Sequence, residues 1–341
     1  MTDMDYAGSR VEKLRRLCSV TMLLCAGFAA CRCNPRTDGA PTSTPPITPM
    51  PSASAPPPSS TAEIAALDTD TGCPAALAET RRGGTRPGSF VAPGEADMKA
   101  ARAAVAKLLR GEAPGDVAAF GFEVVPLEGW GDAVLLREVG GKKRGGGAFV
   151  VRKGSASTLV VEAPHTFYDE GTFPLACEMF QRTKARALFI NTTHRYKSAP
   201  QTTDGKHPAD VAHAPATLFQ SATEGAVDAI PKLSVIQLHG FADRKVGARA
   251  VVSTGEKKPG GPIVARVAKA FEAVVGPRIL RYPEDTSELG ATTNVQGSIV
   301  WRAGGQFLHI EMDDVLRRDL GRDAALRGKA IDTLAASFTN P

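Results

Sequence analysis

The chain has 341 residues, with 41 Lys plus Arg against 36 Asp plus Glu and a net charge of +5. A hydrophobic content of 43% excludes a wholly disordered chain and a polytopic membrane protein. The basic excess is thinly spread, with no basic stretch interleaved with aromatics, so no nucleic-acid partner is expected.

Residues 1–30 read as an export signal. Arg10, Lys13, Arg15 and Arg16 form a basic start, and 17–30 runs 14 residues without a charge. A spanning helix needs about 20 apolar residues, so this run suits the core of a signal peptide better than a permanent anchor. It ends in Phe28-Ala29-Ala30-Cys31, which resembles the lipobox of bacterial lipoproteins, with Phe28 where leucine is usual. The resemblance implies lipidation of Cys31 and anchorage to a membrane surface of the cell envelope through acyl chains. Cleavage at the same small residues without lipidation is the other reading.

Residues 31–61 form a tether. Nine of the 27 residues from 34 to 60 are Pro and almost nothing there can be buried, which describes an extended polyproline-type spacer. The remainder, 62–341, is read as one α/β hydrolase-like domain, in which 74–150 form either an added N-terminal subdomain or the first strands of the same sheet. Of the six cysteines only Cys73 and Cys177 belong to it. They form one disulfide in an exported protein or stay as two buried thiols.

A helix is predicted over 95–110, where Met98, Ala101, Val105 and Leu108 recur at helical spacing before Gly111. Strands at 133–136 and 148–151 flank the glycine-rich turn 140–147, which lacks the spacing of a phosphate-binding loop. Strand 158–162, helix 174–182, strand 187–191, helix 214–230 and strand 233–238 follow. Then come strand 248–253, helix 262–275, strand 278–281, a last strand at 306–312 and a terminal helix over 314–337. This alternation predicts an α/β fold with a mainly parallel or mixed central sheet and helices on both faces. In such sheets ligands bind beyond the carboxyl ends of the strands.

Histidines gather at those ends. His165 follows the strand at 159–161, His194 the strand at 189–191, and His239 the strand at 235–238, while His309 lies two residues before Glu311. Period-two alternation puts Phe307, His309 and Glu311 on one face of the last strand. A carboxylate in so apolar a strand is costly unless it is paired or set in a polar site. A hydrolytic zinc site asks for these groups: imidazole and carboxylate ligands, an open position, and a carboxylate to take a proton. The segment 164–172 supplies His165, Asp169 and Glu170, and His239 would close the ligand set. Glu311 is the natural general base, and Arg195 is placed to grip a substrate carboxylate through its fork. Asn191, Thr293 and Asn294 are expected to bind substrate, and His309 to orient a ligand. His207 and His213 lie in a polar stretch and read as surface residues, and His194 reads equally as a loop residue.

Three segments, in this order, resemble a known family: Val161-Glu162-Ala163-Pro164-His165, then Gln237-Leu238-His239-Gly240, then Phe307-Leu308-His309-Ile310-Glu311. They are similar to motifs of the N-formylglutamate amidohydrolase group, which shares a phosphorylase/hydrolase-like fold with zinc carboxypeptidases and zinc-dependent N-acetylmuramoyl amidases. The resemblance spans about residues 159–320. It implies zinc held by His165, an acidic residue and His239, with Glu311 as base and Arg195 on a substrate carboxylate. Tyr168 stands where the carboxypeptidases place a Glu, and Gly240 where the amidohydrolases usually have a Ser. Glu178, thirteen residues after His165, matches the amidases' acidic ligand to within one position and competes with Asp169 and Glu170. The activity implied is hydrolysis of an amide bond in a small carboxylated or peptide-like substrate. The competing reading is a metal-free descendant that binds a ligand or an envelope component without cleaving it.

Overall fold

The computed structural model describes residues 72–141, 143–242, 247–336 and 338. The export signal, Cys31 and the tether lie outside them, as does Ser337 at the end of the last predicted helix. Among the described residues no helix is long and apolar enough to cross a membrane.

Two helices come first, α1 (Ala75–Thr80) and α2 (Glu95–Leu109). The strands β1 (Phe122–Pro126), β2 (Ala133–Glu138), β3 (Ala148–Arg152) and β4 (Leu159–Ala163) follow. Then come α3 (Thr172–Arg182), β5 (Ala187–Ile190), α4 (Leu218–Ala229), β6 (Ser234–Phe241) and β7 (Ala250–Ser253). The chain continues through α5 (Gly261–Val275), β8 (Ile279–Arg281), α6 (Val295–Arg302) and β9 (Gln306–Asp313). It closes with α7 (Asp314–Arg322) and α8 (Ala324–Ala336).

All nine strands form one sheet in the order β1-β2-β3-β5-β4-β6-β9-β7-β8. Four of its pairings are parallel (β5–β4, β4–β6, β6–β9, β7–β8) and four antiparallel, so the sheet is mixed. The antiparallel meander β1–β3 joins the parallel centre through β3 and β5, so residues 122–152 continue the same sheet. Alternate residues of the central strands feed two cores. Val161, Leu188, Ile236, Leu238 and Ile310 meet Phe173, Phe180 and Phe271 on one face. Val160, Phe189, Val235 and Phe307 meet Val105, Phe219 and Ala222 on the other.

Two departures from the sequence reading have clear causes. The terminal helix breaks at Asp323, whose backbone is extended and whose Oδ1 accepts from the amides of Ala325 and Leu326 at 2.9 Å each. An aspartate that caps a new helix ends the old one. Helix α6 starts in the same way, with Asn294 Oδ1 accepting from the Gly297 amide at 2.8 Å. Cys73 and Cys177 are bridged, with Cα atoms 5.6 Å apart, which ties the start of the described chain to α3.

Candidate metal centre

Strands β4, β6 and β9 are adjacent and parallel, so their carboxyl ends open on one edge of the sheet. On one face the apolar alternation turns polar toward that edge: Val160 gives way to Glu162, Val235 to Gln237 and His239, Phe307 to His309 and Glu311. Register sets Glu162 beside Gln237, Gln237 beside His309, and His239 beside Glu311. His165 and Asp169 come from the single turn after β4, closed by the Asp169 amide donating to the His165 carbonyl at 2.8 Å.

Three ligand atoms converge here. Nδ1 of His165 and Nδ1 of His239 each lie 3.3 Å from Oδ2 of Asp169. A tetrahedral centre with bonds of about 2.0–2.1 Å sets its ligand atoms roughly 3.3–3.4 Å apart, so these two spacings leave room for a metal ion among the three residues. Asp169 is 1% exposed, and neither of its oxygens has a hydrogen-bond donor. A carboxylate buried in that way is costly unless a cation sits against it.

The far nitrogens of both rings are occupied. His165 Nε2 donates to Oδ1 of Asp210 at 2.8 Å, and His239 Nε2 donates to Oε1 of Gln237 at 2.8 Å. With the hydrogen on Nε2, each ring turns a bare Nδ1 toward Asp169. Such outer partners fix tautomer and ring orientation in metal-ligating histidines. Arg195 Nη1, 3.1 Å from His165 Nδ1, also finds an acceptor in that nitrogen, a contact that a metal on the same atom would have to displace.

The charges follow from the packing. Burial opposes ionisation of Asp169, but contact with His165 and His239 outweighs it and holds the carboxyl well below its ordinary value. Asp210 is depressed in the same way, with His165, His213 and Arg195 overcoming its burial. Burial draws His239 down to about 4, so it is neutral at physiological pH, the form that binds metal. His165 moves up, because Asp169 and Asp210 outweigh its burial. A proton on that ring is the competitor a metal displaces. Burial, reinforced by the charge of Asp169, pushes Glu311 up to about 8.

Two other trios also approach one another, His165 with Asp210 and His213, and His239 with His309 and Glu311. Asp210 already has a cation in Arg195, and Glu311 at about 8 is protonated at neutral pH. The trio around Asp169 is the one whose carboxylate is fully buried and, among the described residues, has no Arg or Lys ion pair. Glu311, His309, Arg195, Tyr168 and Thr293 line a cavity of about 370 Å³ together with His165 and His239.

Several predicted site residues stand elsewhere. Glu170 is exposed and joins no ligand trio; its carbonyl accepts from Arg317 Nε at 2.7 Å. The turn after His165 carries two adjacent carboxylates, and only Asp169 turns inward. Glu178, on α3, pairs with Arg327. Asn191 is fully buried and pins the strand ends, donating to the carbonyls of Pro164 at 2.9 Å and Thr193 at 3.1 Å, and it does not line the cavity. Asn294 reaches the cavity wall, but its side chain is spent on capping α6 and on Gln237. Arg195 lines the cavity with its Nη2 paired to Asp210. His194 accepts from the Tyr196 amide at 3.1 Å, as a loop residue.

Sequence reasoning missed Asp210, Gln237 and the cavity position of His213, whose Nδ1 lies 3.1 Å from Asp210 Oδ1. The signal available for Gln237 was its place two residues before His239 on the same strand face. Asp210 gave none, because it reaches His165 from 45 residues away along an irregular loop.

No family model matches the chain, and no curated protein matches it. Among solved structures it is similar to a metallo-carboxypeptidase from Burkholderia cenocepacia, at 16% identity over 74% of this chain and 70% of that one, with a TM-score of 0.35. It is also similar to an N-formylglutamate amidohydrolase from Ralstonia eutropha JMP134, at 14% identity over 57% of this chain and 98% of that one, with a TM-score of 0.36. A third is the catalytic domain of CwlV, an N-acetylmuramoyl-L-alanine amidase from Bacillus (Paenibacillus) polymyxa var. colistinus, at 11% identity over 53% and 96% and a TM-score of 0.28.

Proposed function

We propose that the chain is a zinc-dependent hydrolase that cleaves an amide bond in a small carboxylated or peptide-like substrate. The observation that carries this reading is the convergence of His165 Nδ1 and His239 Nδ1 on Asp169 Oδ2, each 3.3 Å from it, with both Nε2 atoms already committed. Those three residues would hold the metal, which supplies Lewis-acid chemistry by polarising a carbonyl and lowering the pKa of water.

The rest falls to the chain's own side chains. Glu311 Oε2 is buried without a hydrogen-bond partner in the cavity wall, which leaves it open to take a proton from water and return it to the leaving amine. Burial, with the charge of Asp169 added to it, puts its carboxyl at about 8; neutralising that charge removes the smaller of the two and lowers it. Arg195, stacked 4.8 Å from the Tyr196 ring and held by Asp210, presents its guanidinium at the same cavity for a substrate carboxylate. Tyr168, 49% exposed, and Tyr196, 40% exposed, form an aromatic lip around it.

The purified chain, loaded with zinc, is to be assayed on a panel of N-acyl amino acids and peptides with free carboxyl ends. Glu311→Gln is expected to keep the metal and lower turnover by roughly 10²–10⁴-fold. Full turnover in that variant contradicts the role of Glu311. A zinc-loaded chain that cleaves nothing on the panel but binds one of its members favours a non-hydrolytic binding protein.

We further propose that the protein is exported and held on the membrane through lipidated Cys31; the Cys73–Cys177 bridge supports an oxidising compartment. Cys31→Ser is expected to move the protein from the membrane to the soluble fraction. Unchanged membrane fractionation contradicts the anchor.

A further inference from the structure

The polar face of the sheet does not stop at the metal ligands. Behind His239 lies a buried chain of amides and one carboxylate: Glu162, Gln237, Asn294, Gln296 and Gln220, all under 6% exposed. Gln237 is its hub. Its Oε1 accepts from His239 Nε2 at 2.8 Å and from Asn294 Nδ2 at 2.5 Å. Its Nε2 donates to Glu162 Oε2 at 2.7 Å and to Gln296 Oε1 at 3.3 Å.

Two neighbours of that amide, Asn294 and Gln296, are each fixed by a backbone group with only one hydrogen-bonding role. Asn294 must offer its Nδ2 because its Oδ1 accepts from the backbone amide of Gly297. Gln296 must offer its Oε1 because its Nε2 donates to the backbone carbonyl of Val211 at 2.9 Å. Glu162 presents Oε2 as an acceptor while Oε1 accepts from Thr223 Oγ1 at 2.6 Å. A flipped Gln237 would set its oxygen against Glu162 and its NH2 against the NH2 of Asn294. It would also face His239 Nε2 with a donor and drive the ring hydrogen onto Nδ1, the atom that points at Asp169.

We propose that Gln237 is a positioning residue for His239: its amide, locked in one orientation by the buried network, holds the imidazole as the Nε2–H tautomer and keeps Nδ1 bare. The purpose of that lock rests on His165, Asp169 and His239 being a metal centre. The lock itself does not, since it concerns a hydrogen on this chain's own ring.

The test reads the ring directly. Long-range ¹H–¹⁵N correlation spectra of the metal-free full chain report the tautomer of each histidine, and the wild type is expected to show His239 as Nε2–H. Gln237→Met keeps bulk and removes the acceptor; His239 is expected to shift to Nδ1–H or a mixture, and zinc affinity to fall about 10–100-fold. The double exchange of Glu162→Gln with Gln237→Glu keeps an acceptor oxygen toward His239 and a donor from position 162. It is expected to show the Nε2–H tautomer and zinc affinity within a few-fold of wild type. A merely structural role would lower thermal stability in both variants and leave the tautomer unmoved.

Wild-type His239 carrying its hydrogen on Nδ1, or Nε2–H persisting in folded Gln237→Met, overturns the proposal. If Gln237→Met does not fold, the wild-type and double-exchange spectra still decide. A chain that loses the tautomer in Gln237→Met but never takes up zinc upholds the lock and overturns the metal reading instead.

Discussion

Asp210 makes no contact with Asp169 or His239 among its hydrogen bonds and ion pairs, yet it determines what His165 can do. Its Oδ1 takes the Nε2 hydrogen of His165, and its Oδ2 is neutralised by Arg195. Asp210→Asn keeps the shape but can turn an NH2 toward that nitrogen and reverse the tautomer. Zinc affinity, measured by competition with a chromophoric chelator, is expected to fall about 10–100-fold; an unchanged affinity contradicts the orienting role. At this scale the sequence was informative where a residue's position follows from strand periodicity. His239, His309 and Glu311 fall on the polar face of the sheet by parity alone. It was silent where position depends on a turn or a long loop. Which of Asp169 and Glu170 turns inward is decided by one turn of backbone, and Asp210 arrives through a segment with no periodicity.

The strands bearing the site are held in place by α7. Arg317, at its middle, donates to the carbonyls of Glu170 in the turn after β4, Phe241 at the end of β6 and Met312 one residue before the end of β9. Gly240 leaves room for that side chain, since a Cβ there would stand 2.1 Å from Arg317 Nη1. Gly240→Ala is expected to displace the guanidinium and lower stability by about 1–3 kcal/mol, read as a fall in Tm. A Tm equal to that of the wild type contradicts the clamp. The elements that escaped the sequence reading, the short helix α1 among them, were those without a long periodic apolar stripe. β1 is an edge strand with only partial burial, and α6 is an eight-residue helix recognisable by its Asn294 cap. The break at Asp323 was a capping signal hidden inside a continuous helical pattern.

Across the whole molecule the sheet performs two tasks on its two faces. One face is apolar to the strand ends and packs against α3, α5 and α8. The other begins apolar, against α2 and α4, and becomes a buried polar layer that leads to the cavity. The α/β class and the gathering of His165, His239 and Glu311 beyond one edge of the sheet were legible because alternation of strands and helices constrains topology strongly. The β2–β3 hairpin was legible from its glycine-rich turn, but its place in the sheet was not, because that depends on long-range pairing of β3 with β5. The central claim is that this polar layer culminates in a metal centre. Calorimetric titration of zinc into the metal-stripped chain tests it directly. The account predicts one zinc per chain, bound with release of a proton and abolished in His239→Ala. No uptake of zinc, or equal uptake by His239→Ala, would contradict it.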